Sequence, residues 1–116
     1  MRVIPAVELL KKAQAVLSDE SKFVKDFFAC AERGVPVDPH SPLAVKWDGM
    51  GALMKVADGA KPKYYRGSAM MFLRNAARAM DYSGPTEASQ FGGYTVTVKM
   101  LQLAVEMADG QGKDKI

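Results

Sequence analysis

Apolar residues return along this chain mostly at the three-and-four spacing of an α-helix face, and the pattern breaks at clusters of turn-forming residues. Pro5 suits a first helical turn, and Ala6, Leu9, Leu10, Ala13, Val16 and Leu17 then form one face, with Glu8, Lys11, Lys12 and Gln14 opposite. This predicts an amphipathic helix over Pro5 to Leu17. After the polar break Ser18 to Ser21, the residues Phe23, Val24, Phe27, Phe28 and Ala31 repeat the rhythm as far as Gly34. A second helix is expected over Lys22 to Arg33, with a short aromatic strand as the competing reading.

Pro36 and Pro39 hold the next stretch extended, because proline fixes φ and removes a backbone donor. Ser41 and Pro42 then read as a cap and first position, and the spacing predicts a central helix from Pro42 to Asp58. Leu43, Trp47, Met50, Met54 and Ala57 share its centre, and only Asp48, Ala52 and Lys55, with Lys46 apart, look made for water. A helix apolar almost all round belongs at the centre of a small bundle. Gly49 and Gly51 each cost it about 1 kcal/mol relative to Ala, and their expected use is close approach by another helix.

Gly59 is the expected stop for this helix, and Lys61 to Lys63 form a basic link. A fourth helix, Lys63 to Tyr82, turns Tyr65, Ala69, Phe72, Leu73, Ala76, Ala79 and Met80 inward and Gly67, Ser68, Arg74, Asn75, Arg78 and Asp81 outward. Ser83 to Tyr94, SGPTEASQFGGY, is dense in turn formers and is expected to be irregular. A last helix from about Thr95 places Val98, Leu101, Leu103, Ala104, Val105 and Ala108 inward, with Gly110 as its stop. The expected fold is all-α, a bundle of five helices around Pro42 to Asp58, forming one domain over residues 1–110 with a disordered tail at 111–116.

Composition narrows the function classes. The chain has 116 residues, enough for one core. It is 48% hydrophobic and 25% charged, and no apolar run approaches the roughly 18 residues of a membrane span. The opening MRVIPAVELLKKAQ turns polar too early for a signal peptide, so a cytoplasmic location without membrane association is expected. One Cys, Cys30, and one His, His40, argue against a structural zinc site or an internal disulfide. No metal or cofactor is expected.

His40 and Asp38 form the single His and carboxylate combination that a general base would need, but flanking prolines favour a turn role for Asp38. Cys30, beside Phe27 and Phe28, reads as an inert core thiol. Trp47 reads as core. The net charge of +3 is mild, yet Lys55, Lys61, Lys63, Arg66, Arg74 and Arg78 gather around Tyr64 and Tyr65. Such a face could neutralise phosphates and stack bases, or lie solvated.

The Gly34, Pro36, Val37 loop, followed by Pro42, Ala44, Trp47 and the triplet Gly51, Ala52, Leu53, resembles a family of small helical proteins of unknown function from actinobacteria and bacteriophages. The resemblance covers most of the length and implies a helical fold and a phage or bacterial origin, with no established activity. That family often carries Cys directly after the Trp, where this chain has Asp48, and a Gly-Trp pair where it has Lys22 and Phe23. Chemistry depending on that Cys would be absent here.

The expected function is therefore non-catalytic: a small accessory or modulator that binds a protein, acting in the host cytoplasm if phage-encoded. Its expected contact residues are Lys61, Lys63, Tyr64, Arg66, Met70, Met71, Arg74 and Arg78, of types enriched at interfaces. The alternative is nucleic-acid binding through the basic Lys61 to Arg78 face, and a homo-oligomer is compatible with either.

Overall fold

The structure, a computed structural model, describes residues 5–57 and 62–113, with side chains described except at 62–67 and 111–113. Its elements are helix α1 (Ala6–Val16), strands β1 (Ala29–Cys30) and β2 (Lys46–Trp47), and helices α2 (Gly49–Val56), α3 (Pro62–Ala79) and α4 (Pro85–Lys113). The described chain is thus mostly helical, with four α-helices and one two-stranded antiparallel sheet, in place of the all-α, five-helix bundle expected. The core lies where all four helices meet, around Leu9, Leu10, Leu53, Leu73, Met100 and Leu101.

Helix α1 follows its pattern closely, with Pro5 at the N-cap, Leu17 at the C-cap, and Leu9, Leu10 and Ala13 buried. The expected second helix, Lys22 to Arg33, does not form. Glu20–Lys22 makes a single 3-10 turn capped by the Asp19 carboxylate, which accepts from the Ser21 amide at 2.9 Å. The following backbone is drawn into pairing with distant segments. The Val24 N–H donates to Trp47 O at 3.1 Å, Val37 N–H to Ala29 O at 3.1 Å, Val45 N–H to Cys30 O at 2.9 Å, and Asp48 N–H to Phe28 O at 3.2 Å. Residues 29–31 therefore run between the 35–37 stretch and β2, with Ala29 opposite Trp47 and Cys30 opposite Lys46. Pairing of this kind gives the backbone donors partners outside a helix, but the strand that forms, Ala29–Cys30, holds none of the aromatics. Phe27 and Phe28 precede it in bends, so the alternative of a short aromatic strand is met only by a two-residue strand beside them.

The same pairing shortens the central helix. Ser41 and Pro42 do open a turn, in which Ser41 Oγ accepts from Leu43 N–H at 3.1 Å and Ala44 N–H donates to Ser41 O at 3.0 Å, but the turn does not propagate. Lys46 and Trp47 are extended, and Asp48 caps a helix that begins at Gly49 and is closed by Ala57. Leu43, expected in the core, is 66% exposed. Met50, Leu53 and Ala57 are buried as expected, and so is Trp47, although from a strand. The predicted stop at Asp58 and Gly59, and the link residue Lys61, lie outside the described residues.

Helix α3 matches its expected span to within a few residues. Ser83 to Tyr94 differs sharply, because α4 starts at Pro85. Ala88 N–H donates to Gly84 O at 3.0 Å, the Ser83 hydroxyl donates to the Glu87 carboxylate, and Pro85 takes a first-turn place where no donor is needed. Those start signals outrank the density of turn formers. Gly93, with φ 74° and ψ −162°, is not helical, so α4 consists of two helical segments joined at a kink there, and the second runs through Gly110, which is not its stop. Residues 111–113, expected in a disordered tail, belong to α4, while 114–116 lie outside the described residues. Leu101, Ala104 and Val105 face the core, whereas Val98 is exposed.

A candidate partner-binding groove

Three chain segments meet at the amino end of α2, and their meeting is what makes a site. Asp48 Oδ1 accepts the Gly51 N–H at 2.7 Å, which satisfies one of the donors left open by a helix start. Gly51 lets the Phe28 backbone lie directly against the helix: a Cβ there would fall 1.7 Å from Phe28 O. Gly49 fits beneath α4, where a Cβ would meet Met100, Thr97 and Ser89, and its N–H donates to Ser89 Oγ at 3.2 Å. The close approach of another helix expected at both glycines is found at Gly49, under α4, whereas at Gly51 the neighbour is the irregular backbone of Phe28 just before β1.

This tight junction leaves the aromatic side chains of residues 27 and 28 with no interior to enter. Phe27 is 39% and Phe28 43% exposed, and Phe91 on the first part of α4 is 73% exposed. Between them runs a groove with two basins. The larger, about 610 Å³, has Phe28, Met50, Met54, Met70 and Phe91 as apolar lining, with Arg74 and Glu87 beside them. The smaller, about 470 Å³, is lined by Phe27, Phe28, Pro36, Val37, Pro39 and Met54, together with Asp26, Asp38 and Asp48. Both are lined by Phe28, Met54 and Thr86, so they lie side by side.

The Pro-rich loop is fastened over the end of α2 by polar contacts. Trp47 Nε1–H donates to Pro39 O at 3.0 Å, with Lys55 Nζ 4.9 Å from the indole centroid. Asp38 Oδ1 accepts from the His40 N–H at 2.8 Å, a turn of the type expected there, and that bond holds the Asp38 carboxyl below its ordinary range. His40 Nε2 lies 2.6 Å from Met54 O and Nδ1 lies 3.1 Å from Asp38 Oδ1. A carbonyl oxygen can only accept, so Nε2 carries its proton, and the other nitrogen is turned to Asp38. The bond from Nε2 to Met54 O ties His40 to α2, an arrangement that suits a fastening of the loop.

Asp48 is a buried carboxyl with unmet hydrogen-bonding capacity among the described residues. It is 1% exposed, and Oδ2 has no hydrogen-bond partner among the described residues. Burial pushes its carboxyl up to about 7, against the lowering effect of the Gly51 and Asp48 N–H groups. Cys30 is buried and free, in keeping with an inert thiol.

Of the eight residues expected to contact a partner, Met70 and Arg74 line the larger basin, while Met71 and Arg78 are solvent-exposed on α3. Lys61 and the side chains of Lys63, Tyr64 and Arg66 lie outside the described residues. The groove also contains Phe27, Phe28, Met54, Glu87 and Phe91, which the helical pattern hides. One signal for Phe91 was present: in Gln90-Phe91-Gly92 a large aromatic stands alone in a polar stretch with no apolar neighbour to pack on. Phe27 and Phe28 fit a helix face so well that only the failure of that helix exposes them. Among the described residues no helix is long and apolar enough to cross a membrane. Comparison of the chain with protein-family models, curated proteins and solved structures gives no match.

Proposed function

We propose that this chain is a non-catalytic accessory or modulator that works by binding another protein through the groove between residues 27–28, α2 and the start of α4. The observation that carries the reading is the rim: three phenylalanines stand substantially exposed around a floor of Met50, Met54 and Met70. Exposed aromatics and methionines around a concave surface are the composition of a binding interface, and leaving them wet has a cost that a partner removes. Read with the resemblance to small phage and actinobacterial proteins, the partner is a host protein and the setting the host cytoplasm.

The test uses a photo-crosslinking phenylalanine analogue placed at Phe28 or Phe91 of the full chain, with a third copy carrying it at exposed Leu43, away from the groove lining. Irradiation in a bacterial lysate is expected to give one discrete protein adduct from positions 28 and 91 and none from 43. Equal labelling from all three positions, or none from any, overturns the reading.

Nucleic-acid binding is the second reading, favoured by Arg74 and Arg78, which stand exposed one turn apart on α3. It requires retention of single- or double-stranded DNA or RNA that weakens steeply as salt rises, and loses most of its strength in an Arg74→Ala, Arg78→Ala double variant.

A further inference from the structure

The smaller basin differs in charge from the larger, which is lined by one basic and one acidic residue, Arg74 and Glu87. Its charged lining residues, Asp26, Asp38 and Asp48, are all acidic, on a chain whose net charge is +3. The acidity is therefore local to this basin. Acids alone would make only a solvated patch, but two further features are present. Phe27 and Phe28 supply ring surface next to the carboxylates, with Val37 and the prolines completing an apolar sleeve. Asp48, almost wholly buried, lines the same basin with one carboxyl oxygen unpartnered among the described residues. An apolar sleeve ending in carboxylates matches a long side chain with a cationic head: the stem covers the rings and the head reaches the acids.

Resting on the protein-binding reading above, we infer that the smaller basin is a specificity subsite that receives a lysine or arginine of the partner, while an apolar side chain of the same segment fills the larger basin. The two basins share Phe28, Met54 and Thr86 in their linings, so they are close enough for one short peptide segment to reach both. Asp26 and Asp38 meet the cation at the open side. Asp48, deeper in, gains the opposite charge that its burial lacks. The larger basin carries one charge of each sign, Arg74 and Glu87, so the three acids make the smaller basin the better seat for the cation.

A random peptide library displayed against the immobilised full chain tests this, with the Phe91→Asp variant and the Asp26→Asn, Asp38→Asn double variant run in parallel. Selected peptides should need Phe91 and should share a Lys or Arg at a fixed spacing from a large apolar residue. For such a peptide, replacing its basic residue by norleucine should weaken binding about tenfold to the native chain and hardly at all to the double variant, the size expected of a charge-assisted contact. Asp48→Asn, which keeps an acceptor for Gly51, should reproduce part of that loss. Peptides that need Phe91 but show no basic preference overturn the subsite and leave the groove reading standing. A library with no binder dependent on Phe91 overturns both. Self-association that disappears in Phe91→Asp assigns the groove to a second copy of the chain, and also overturns the inference.

Discussion

At the scale of single residues, Asp48 joins two roles that pull against each other. Its Oδ1 caps α2, yet the rest of the carboxyl is buried and lacks a partner for Oδ2 among the described residues. Its folded pKa of about 7 stands above the ordinary 3.8, so between those values the folded chain holds a proton that the unfolded chain has released. The associated stability is complete below the lower value and is lost as pH rises through about 7. Asn keeps the cap acceptor and removes the titration. Relative to the native chain, Asp48→Asn should therefore gain on the order of 2–4 kcal/mol in going from pH 4.5 to pH 8, read from urea unfolding at the two pH values. A stability difference unchanged between them would show that the carboxyl is not held neutral by burial.

At the scale of elements, the fold is decided at junctions more than within helices. The Phe28 backbone lies on α2 at Gly51, and that contact links the small sheet to the bundle. Gly51→Ala cannot be absorbed by a side-chain rotation, since the obstructing atom is a backbone oxygen. It should destabilise the protein by about 3 kcal/mol. Gly110, inside α4 with nothing within 4 Å of where a Cβ would stand, is the matched control. Gly110→Ala should instead stabilise by about 0.5–1 kcal/mol, because helical glycine is entropically costly and alanine clashes with nothing there. Chemical denaturation of the two variants side by side checks both signs. The bend at Gly93 is a second junction of this type. It sets Tyr94 so that its hydroxyl donates to Leu17 O at 2.7 Å, while its ring meets Phe23 edge-on at 5.8 Å. Ser89 and Thr97, on either side of the bend, lie 3.0 Å apart through their hydroxyls, and Thr97 Oγ1 donates to Gly93 O at 2.8 Å. Buried polar groups are thereby satisfied across the bend.

At the scale of the whole molecule, the core and the groove are separable. The core depends on leucines, alanines and Met100 at the meeting of the helices, whereas Phe91 stands in water at the groove's far edge. Phe91→Asp should leave the unfolding free energy within about 0.5 kcal/mol of the native value, as a surface substitution does. The same change should remove the protein adduct formed from a crosslinker at position 28. Loss of stability in parallel with loss of the adduct would mean that Phe91 serves the fold and not a partner.

What the amino-acid order determined by itself is the local periodic part. The α1 stripe of Leu9, Leu10 and Ala13 and the α3 stripe of Phe72, Leu73 and Ala76 needed no knowledge of distant residues, because helix hydrogen bonds close within one turn. The packing use of Gly49 and Gly51 was legible for a related reason: glycine inside an apolar helix is costly unless something comes close. Tertiary structure alone decided between helix and strand for residues 22–33 and for the first half of the expected central helix. There the Phe23, Phe27, Phe28 rhythm suits a helix, but the hydrogen bonds that win run from residues 28–30 to residues 45–48, a pairing invisible to any local pattern. Those same bonds leave Phe27 and Phe28 facing outward and bring Asp26, Asp38 and Asp48 to one basin. The groove is accordingly a product of long-range backbone pairing, and among the described residues the α3 face expected from spacing contributes Met70 and Arg74 to it.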